Sequence, residues 1–450
     1  MKVVIIGLGA AGFAALSSIK RIKPDTEITV IDDKICDMFH PCGMPYSLEG
    51  LFPPEKLNQE LFLEKMKIVK ISGKALSADS KLKIIKIQTT DGMVDYSYDK
   101  LVIASGAVPI IPDIENLQQY LQKWIFTLTS YQDLNAVGNY LENNKLKNVT
   151  VIGGGAIGLE TAFALKHRAS ETTVIEMKGN VLSGILDSDM ASTVEEYLKS
   201  CGIQIITGSS AVSFNQTIDS NAVKIQKSDG QREDIKSDLC ILSVGYRANS
   251  GFGINTGLSC DNRGIVVDSK MRTSADDIYA AGDCAGNFSV IDGKPVNAKL
   301  AVPAYKMGIC AANNVLGIEA NYRGTAGTFV SKIGDLQVSG TGYTTETALK
   351  NGFEPVSAKI KMKILPEYFS GNTELIIKII ADKKSRRLIG AQSIGEKGAS
   401  ERINIVSMAL EMSLTLDSLD AVELAYCPAI GDVIDPLFKC IDILKRKMPK

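Results

Sequence analysis

The chain sets out the same apolar pattern twice. Lys2 to Ile6 is a short apolar run, broken by Gly-Leu-Gly-Ala-Ala-Gly at residues 7–12, with apolar residues at helical spacing from Phe13 to Ile22. Asn148 to Ile152 repeats the run, Gly-Gly-Gly-Ala-Ile-Gly at 153–158 repeats the break, and Leu159 to Lys166 repeats the helical spacing. A second β-branched run follows each: Glu27 to Ile31 ending at Asp32, and Thr172 to Ile175 ending at Glu176. Short apolar runs read as strands and the 3.6-residue spacing as helix, so each unit is strand, glycine turn, helix, strand. The pattern predicts an α/β protein with two doubly wound domains.

Between and after the units the pattern changes. Leu101 to Ile111 reads as a strand entering a turn that leaves the first domain, and Asp238 to Val244 as the strand that returns to it. Asp277 to Ala281 is a further strand, ending in Gly282-Asp283. After Asn321, Leu375 to Ile380 and Leu388 to Gln392 read as antiparallel strands and Ser400 to Met412 as a helix, which predicts an α+β third domain. The expected boundaries are 1–112 with 240–320, 113–239, and 321–450.

Composition narrows the function. A chain of 450 residues with 45% hydrophobic and 22% charged residues is ordinary for a globular protein of two or three domains. A net charge of -1 and 6% aromatics give no basis for a nucleic-acid partner or an acidic membrane surface. Met1 to Leu16 looks like a leader segment, but Gly7, Gly9 and Gly12 interrupt it at a spacing with its own explanation. No stretch of 18 apolar residues predicts a membrane span. Nine scattered cysteines without a C-x-x-C pair suggest neither a disulfide framework nor a metal site, and fit a reducing, cytoplasmic location.

The glycines carry the first chemistry. In such a turn the first Gly bends the chain, the second lets backbone approach a pyrophosphate, and the third packs helix on strand. The helix N-terminus then offers unpaired N–H groups to the phosphates. Asp32 follows Gly12 by 20 positions and Glu176 follows Gly158 by 18, where an acid accepts ribose hydroxyls. Two dinucleotide sites in one chain point to electron transfer between a flavin and a nicotinamide. Glu176 favours a free 2′-hydroxyl, hence NADH over NADPH.

Cys42 carries the second. It lies in Phe39 to Tyr46 (FHPCGMPY), ten positions after Asp32. A helix starting there would present its positive end to the sulfur and lower the thiol pKa. A thiolate is the attacking species in thiol–disulfide exchange. His40 is close enough in sequence to assist; as one of two histidines with no visible partner it also reads as a loop residue.

These residues resemble the pyridine nucleotide–disulfide oxidoreductases over nearly the full chain, and within them the single-cysteine branch of CoA-disulfide, CoA-persulfide and polysulfide reductases, NADH oxidases and NADH peroxidases. The matching segments are the two glycine turns, CGMPY, LVIASGAVP, TSADDIYAAGDCA and YCPAIGDVIDPL. The resemblance implies two Rossmann-like domains, one for FAD and an inserted one for NAD(P)H, and a C-terminal dimerisation domain. It implies FAD contacts from Gly7, Gly9, Ala11, Gly12, Asp32, Asp33, Pro41, Ala75, Ser105, Gly106, Gly282, Asp283, Leu300 and Ala301. It implies NAD(P)H contacts from Gly153, Gly155, Ile157, Gly158, Glu160, Glu176 and Gly245. In a homodimer, Tyr368 and Tyr426 of one subunit would reach toward Cys42 of the other. The implied activity is NAD(P)H-driven reduction of a disulfide, persulfide or polysulfide, CoA-linked acceptors among them, through Cys42. The alternatives are an NADH oxidase reducing O2 and a reductase of an electron-carrier protein.

Three departures bear on the substrate. Oxidases and peroxidases of the branch carry a His in the first glycine turn, where this chain has Ala10 and Ala11. CoA-disulfide reductases carry an Asn and an Arg that contact CoA at positions matching Tyr305 and Ile309, which leaves Lys20, Arg21 and Lys23 as the candidate nucleotide contacts or as a solvated helix end. Cys427, next to Tyr426, is either a second thiol near the partner's site or a small packing residue. Cys36 matches no cysteine of the two-cysteine relatives and reads as structural.

Overall fold

The computed structural model describes residues 1–217 and 220–448, so the last two positions of the expected third domain lie outside it. The elements that build the main sheets follow in chain order. They are β1 (Lys2–Ile6), α1 (Ala10–Ile22), β2 (Glu27–Asp32), α2 (Met44–Glu49), β3 (Ile68–Ser72) and β4 (Lys100–Ile103). Next come β5 (Ile125–Thr127), β6 (Asn148–Ile152), α3 (Ala156–Leu165), β7 (Glu171–Ile175), β8 (Ile203–Ile206) and β9 (Leu239–Leu242). The chain then makes β10 (Ile278–Ala280) and α4 (Ala301–Val315). It closes with β11 (Phe329–Ile333), β12 (Leu336–Gly342), β13 (Pro355–Lys363), β14 (Glu374–Asp382), β15 (Leu388–Gly395), α5 (Ala399–Glu411) and α6 (Pro436–Lys447).

The repeat seen in the sequence becomes two parallel sheets of one plan. The first runs β10-β4-β1-β2-β3 and the second β5-β9-β6-β7-β8. In each, the strand before the glycine turn is central, so its side chains are buried on both faces: Val3, Val4 and Ile5 are fully buried, as is Val151. That double burial is why these strands are unbroken apolar runs. Each sheet also carries a three-stranded antiparallel meander, Lys74–Asp79 to Gly92–Ser97 in the first and Ser209–Gln216 to Arg232–Lys236 in the second.

The second unit is inserted into the first. The two crossings pair with each other as antiparallel strands, Ala107–Pro109 against Tyr246–Ala248. Here the structure moves one expectation. Leu239–Leu242 is not the returning strand of the first domain, because it pairs with β5 and β6 inside the second sheet. An apolar run of this length fits any buried parallel strand, so periodicity alone could not assign it to a sheet.

The third unit is an antiparallel sheet, β11-β12-β15-β14-β13. One face packs Ile377 and Ile379 under α5 and α6. From the other, Ile333, Leu336, Val338 and Ile394 join the core of the second unit. Lys378, almost fully buried, ties the two with ion pairs to Asp187 at 2.8 Å and Asp189 at 2.7 Å. Among the described residues no helix is long and apolar enough to cross a membrane.

Candidate active site

At the first glycine turn the geometry leaves little choice of residue. Gly7 has φ +88°, and a Cβ there would lie 2.4 Å from the Ala104 carbonyl oxygen. A Cβ on Gly12 would lie 2.0 Å from the Gly7 carbonyl oxygen, so α1 reaches its depth only with glycine. Gly9 faces open space and caps α1 without a side chain, which leaves the first N–H groups of the helix free. Buried Asp32 accepts the Leu8 N–H at 2.6 Å and the Lys34 N–H at 2.8 Å, and pairs with the Lys34 ammonium. Asp33 and Pro41 are exposed nearby, and Ala75 is half-buried. Gly282 (φ +82°) abuts Ala11, and Asp283 follows it. Leu300 caps α4, which starts at Ala301. Ser105 and Gly106 are fixed by reciprocal hydrogen bonds with Asn249. A cradle of free N–H groups, glycine clearance and an acid at the end of β2 fits a dinucleotide.

The second turn repeats this. Gly153 has φ +114°, and a Cβ on Gly158 would lie 2.0 Å from the Gly153 carbonyl oxygen. Gly155 caps α3 and faces open space, with half-buried Ile157 in the first turn. Glu176 accepts the Gly154 N–H at 2.6 Å and the Lys178 N–H at 2.7 Å. Gly245, φ +106°, opens the return crossing. A second dinucleotide fits here for the same physical reasons.

Cys42 lies in a short 3₁₀ turn, Pro41–Gly43, just ahead of α2. It is exposed to solvent, yet the walls around it partly desolvate the sulfur. That desolvation, then the carboxyl groups of Glu160 and Asp283, push the thiol above its ordinary pKa. The expected lowering is therefore overturned. The helix is only six residues long, and two acids from distant segments face the sulfur. His40 is spent elsewhere, with Nε2 3.0 Å from Gln59 Oε1.

Glu160 joins all three units. Its carboxyl accepts the Ser331 hydroxyl at 2.5 Å, while the Tyr46 hydroxyl is shared between Glu160 Oε1 at 3.3 Å and the Lys332 carbonyl at 3.2 Å. Burial raises the Glu160 pKa, and these hydrogen bonds partly oppose the rise. The Tyr46 phenol is pushed up to about 12 by burial and by Glu160. Tyr246 is likewise pushed up to about 12, by burial and then by Asp133 and Cys42. Asp283 is raised by burial against the pull of Lys299. Sequence reasoning passed over Tyr46, Tyr246, Lys299 and Ser331. Tyr46 lies inside the quoted CGMPY and could have been found; Ser331 sits 171 positions from Glu160 with no local signal.

Other expected residues stand apart. Tyr368 and Tyr426 are exposed on the third unit at 75% and 53%, close enough that Tyr368 helps raise the Tyr426 phenol after its own desolvation. Neither is among the groups that act on Cys42 of the same chain. Cys427 is exposed and Cys36 packs against the second core. Tyr305 is exposed on α4 and Ile309 half-buried. Lys20 is committed to the end of α1, where its ammonium donates to the carbonyls of Pro24 at 3.2 Å and Thr26 at 3.0 Å; Arg21 and Lys23 are exposed.

Comparison with known proteins agrees with this architecture. Residues 1–308 match the pyridine nucleotide-disulphide oxidoreductase family, and residues 329–437 its dimerisation domain. The chain is 33% identical to the NAD(P)H coenzyme A polysulfide/persulfide reductase of Pyrococcus horikoshii, over 99% of this chain and 98% of that protein. It is 32% identical to the NADH oxidase of Methanocaldococcus jannaschii, over 99% of each. The solved structure of a NAD-dependent persulfide reductase from A. fulgidus superposes with a TM-score of 0.93 at 31% identity, covering 99% of this chain and 83% of that one. The chain belongs to the pyridine nucleotide-disulphide oxidoreductases, FAD-dependent enzymes that draw on NAD(P)H.

Proposed function

We propose that this protein uses NADH to reduce a sulfur–sulfur bond in a disulfide, persulfide or polysulfide. The observation that carries the proposal is the exposed Cys42 thiol on which two carboxyl groups act, Asp283 beside the first glycine turn and Glu160 on the helix of the second. FAD, when bound, passes an electron pair from the nicotinamide to sulfur. Gly7, Gly9, Gly12, Asp32, Ser105, Gly106 and Gly282 to Asp283 would hold it. Gly153, Gly155, Gly158, Glu176 and Gly245 would hold the nicotinamide dinucleotide. Glu176, with no cation paired to it among the described residues, supports NADH over its 2′-phosphorylated form.

Cys42 works as nucleophile and acceptor. Its thiolate attacks one sulfur of R–S–S–R′, forming Cys42–S–S–R and releasing R′–S⁻, which takes a proton. Two electrons then split the mixed disulfide into the Cys42 thiolate and R–S⁻, which is protonated in turn. The balance is one NADH and one proton consumed per sulfur–sulfur bond cleaved to two thiols. Burial raises the Glu160 pKa, which suits its carboxyl to take up and pass on a proton beside the leaving sulfur.

The dimerisation domain supports a homodimer. Tyr368 and Tyr426, exposed together with Ile430, Val433 and Ile434, would close over the partner's thiol in it. A CoA-linked acceptor accords with the relatives' names, although Ile309 offers it no polar group and Tyr305 only a phenol hydroxyl. Nine free cysteines accord with a reducing, cytoplasmic setting.

The test is anaerobic NADH consumption by the purified yellow protein with CoA disulfide, CoA persulfide and polysulfide offered in turn, followed by air. Turnover with a sulfur acceptor that Cys42→Ser abolishes supports the proposal. Anaerobic silence followed by fast turnover in air overturns it in favour of an NADH oxidase.

A further inference from the structure

Lys299 stands two residues before the start of α4, and its ammonium donates to the carbonyl of Asp283 at 2.8 Å. The side chain is half-buried, and among the described residues no carboxylate lies within ion-pairing distance of it. A cation taken partly out of water needs a counter-charge. Here burial already pulls the lysine below its ordinary pKa, with Asp283 and Cys284 opposing the pull.

The surroundings add to the positive potential. The N-terminus of α4, 15 residues long, has no side-chain cap and no acid in its first turn. Close packing over its first half pins that helix. A Cβ on Gly308 would lie 2.2 Å from the Ala11 carbonyl oxygen, and one on Gly282 would lie 3.4 Å from Ala304. Lys299, the start of α4 and the Gly282–Asp283 turn therefore meet at one edge of the proposed FAD site.

A hydride taken up by a flavin leaves one added negative charge on the ring, centred on its N1–C2 carbonyl edge. Fixed charge beside that edge tunes the flavin's electronics. We infer that Lys299 supplies the counter-charge for the electron pair held on the flavin, and so raises its reduction potential. The inference rests on the FAD reading above and names a residue that tunes that cofactor.

The test is spectropotentiometric titration of the bound flavin in the wild-type holoenzyme, Lys299→Met and Lys299→Arg. Lys299→Met is expected to lower the reduced-to-oxidised ratio at fixed potential by about tenfold or more, roughly 30 mV for a two-electron couple. Lys299→Arg is expected to stay within about threefold of wild type, because the charge is kept. Sulfite, whose addition to the ring leaves the same negative charge, should bind Lys299→Met about tenfold more weakly. Equal potentials and equal sulfite affinities in wild type and Lys299→Met overturn the inference. If Lys299→Met purifies without flavin, the same two measurements on Lys299→Gln decide. A wild-type protein that purifies without FAD overturns the cofactor reading itself, a separate failure.

Discussion

The two glycine turns are built alike and enclosed differently. At the first, α4 packs across α1 so tightly that Gly308 lies against the Ala11 backbone, and Asp32 is buried and ion-paired with Lys34. At the second the cover on α3 is lighter, the six-residue α2 and the edge strand β11, and Glu176 is half-exposed and held by the backbone N–H groups of Gly154 and Lys178. An enclosed site suits a cofactor that stays, and an open one suits a cofactor that leaves on every turnover. One motif thus yields a resident site or an exchange site according to what packs over it.

The largest effect should come from overfilling the turns one at a time. Gly12→Val drives a side chain into the Gly7 carbonyl and should cut the flavin-to-protein ratio at least about tenfold. Gly158→Val should leave the protein yellow and abolish flavin reduction by NADH. Loss of flavin in both variants would show that the two sites are not separable. Next, Glu176→Arg removes the acceptor suited to a free 2′-hydroxyl. The kcat/KM for NADH should fall by about 10- to 100-fold, and that for NADPH by less. An equal loss for both would end the argument for NADH preference.

Smaller effects belong to the contact between the units. Ser331→Ala removes a hydrogen bond that favours ionised Glu160, so the Glu160 pKa should rise further. The limb of the kcat–pH profile set by Glu160 should then move to higher pH; an unmoved limb would detach Ser331 from the chemistry. Last, Glu160→Gln removes an acid that raises the Cys42 pKa. The thiol pKa should fall, the thiolate fraction below that pKa should grow, and alkylation by iodoacetamide at pH 7.5 should quicken about threefold. A rate that stays level or slows would mean that Glu160 does not act on the thiol by charge.

Much of the fold was legible because the glycine turns tolerate so few alternatives. Gly7, Gly12, Gly153 and Gly158 each meet backbone where a Cβ would sit, so spacing in the sequence translates directly into geometry. The exposed position of Cys42 in the turn ahead of α2 was legible from its place after Asp32. Its electrostatics were not, because Glu160 and Asp283 arrive from other segments and outweigh a six-residue helix. The strand Leu239–Leu242 was misassigned because its buried apolar pattern is common to both sheets. Ser331 and Lys299 carry no motif, and only packing brings them to the site.

The edge strand β11 has a consequence for how the protein is made. A ribosome delivers both nucleotide-binding units, the thiol and Glu160 before it reaches residue 329. Only the strand Phe329–Ile333, from the final unit, then brings the Ser331 hydroxyl and the Lys332 carbonyl to the Glu160–Tyr46 pair. A nascent or truncated chain thus carries the thiol with its neighbouring acid held by Tyr46 alone, and the last part synthesised completes the hydrogen bonding beside the first reactive sulfur.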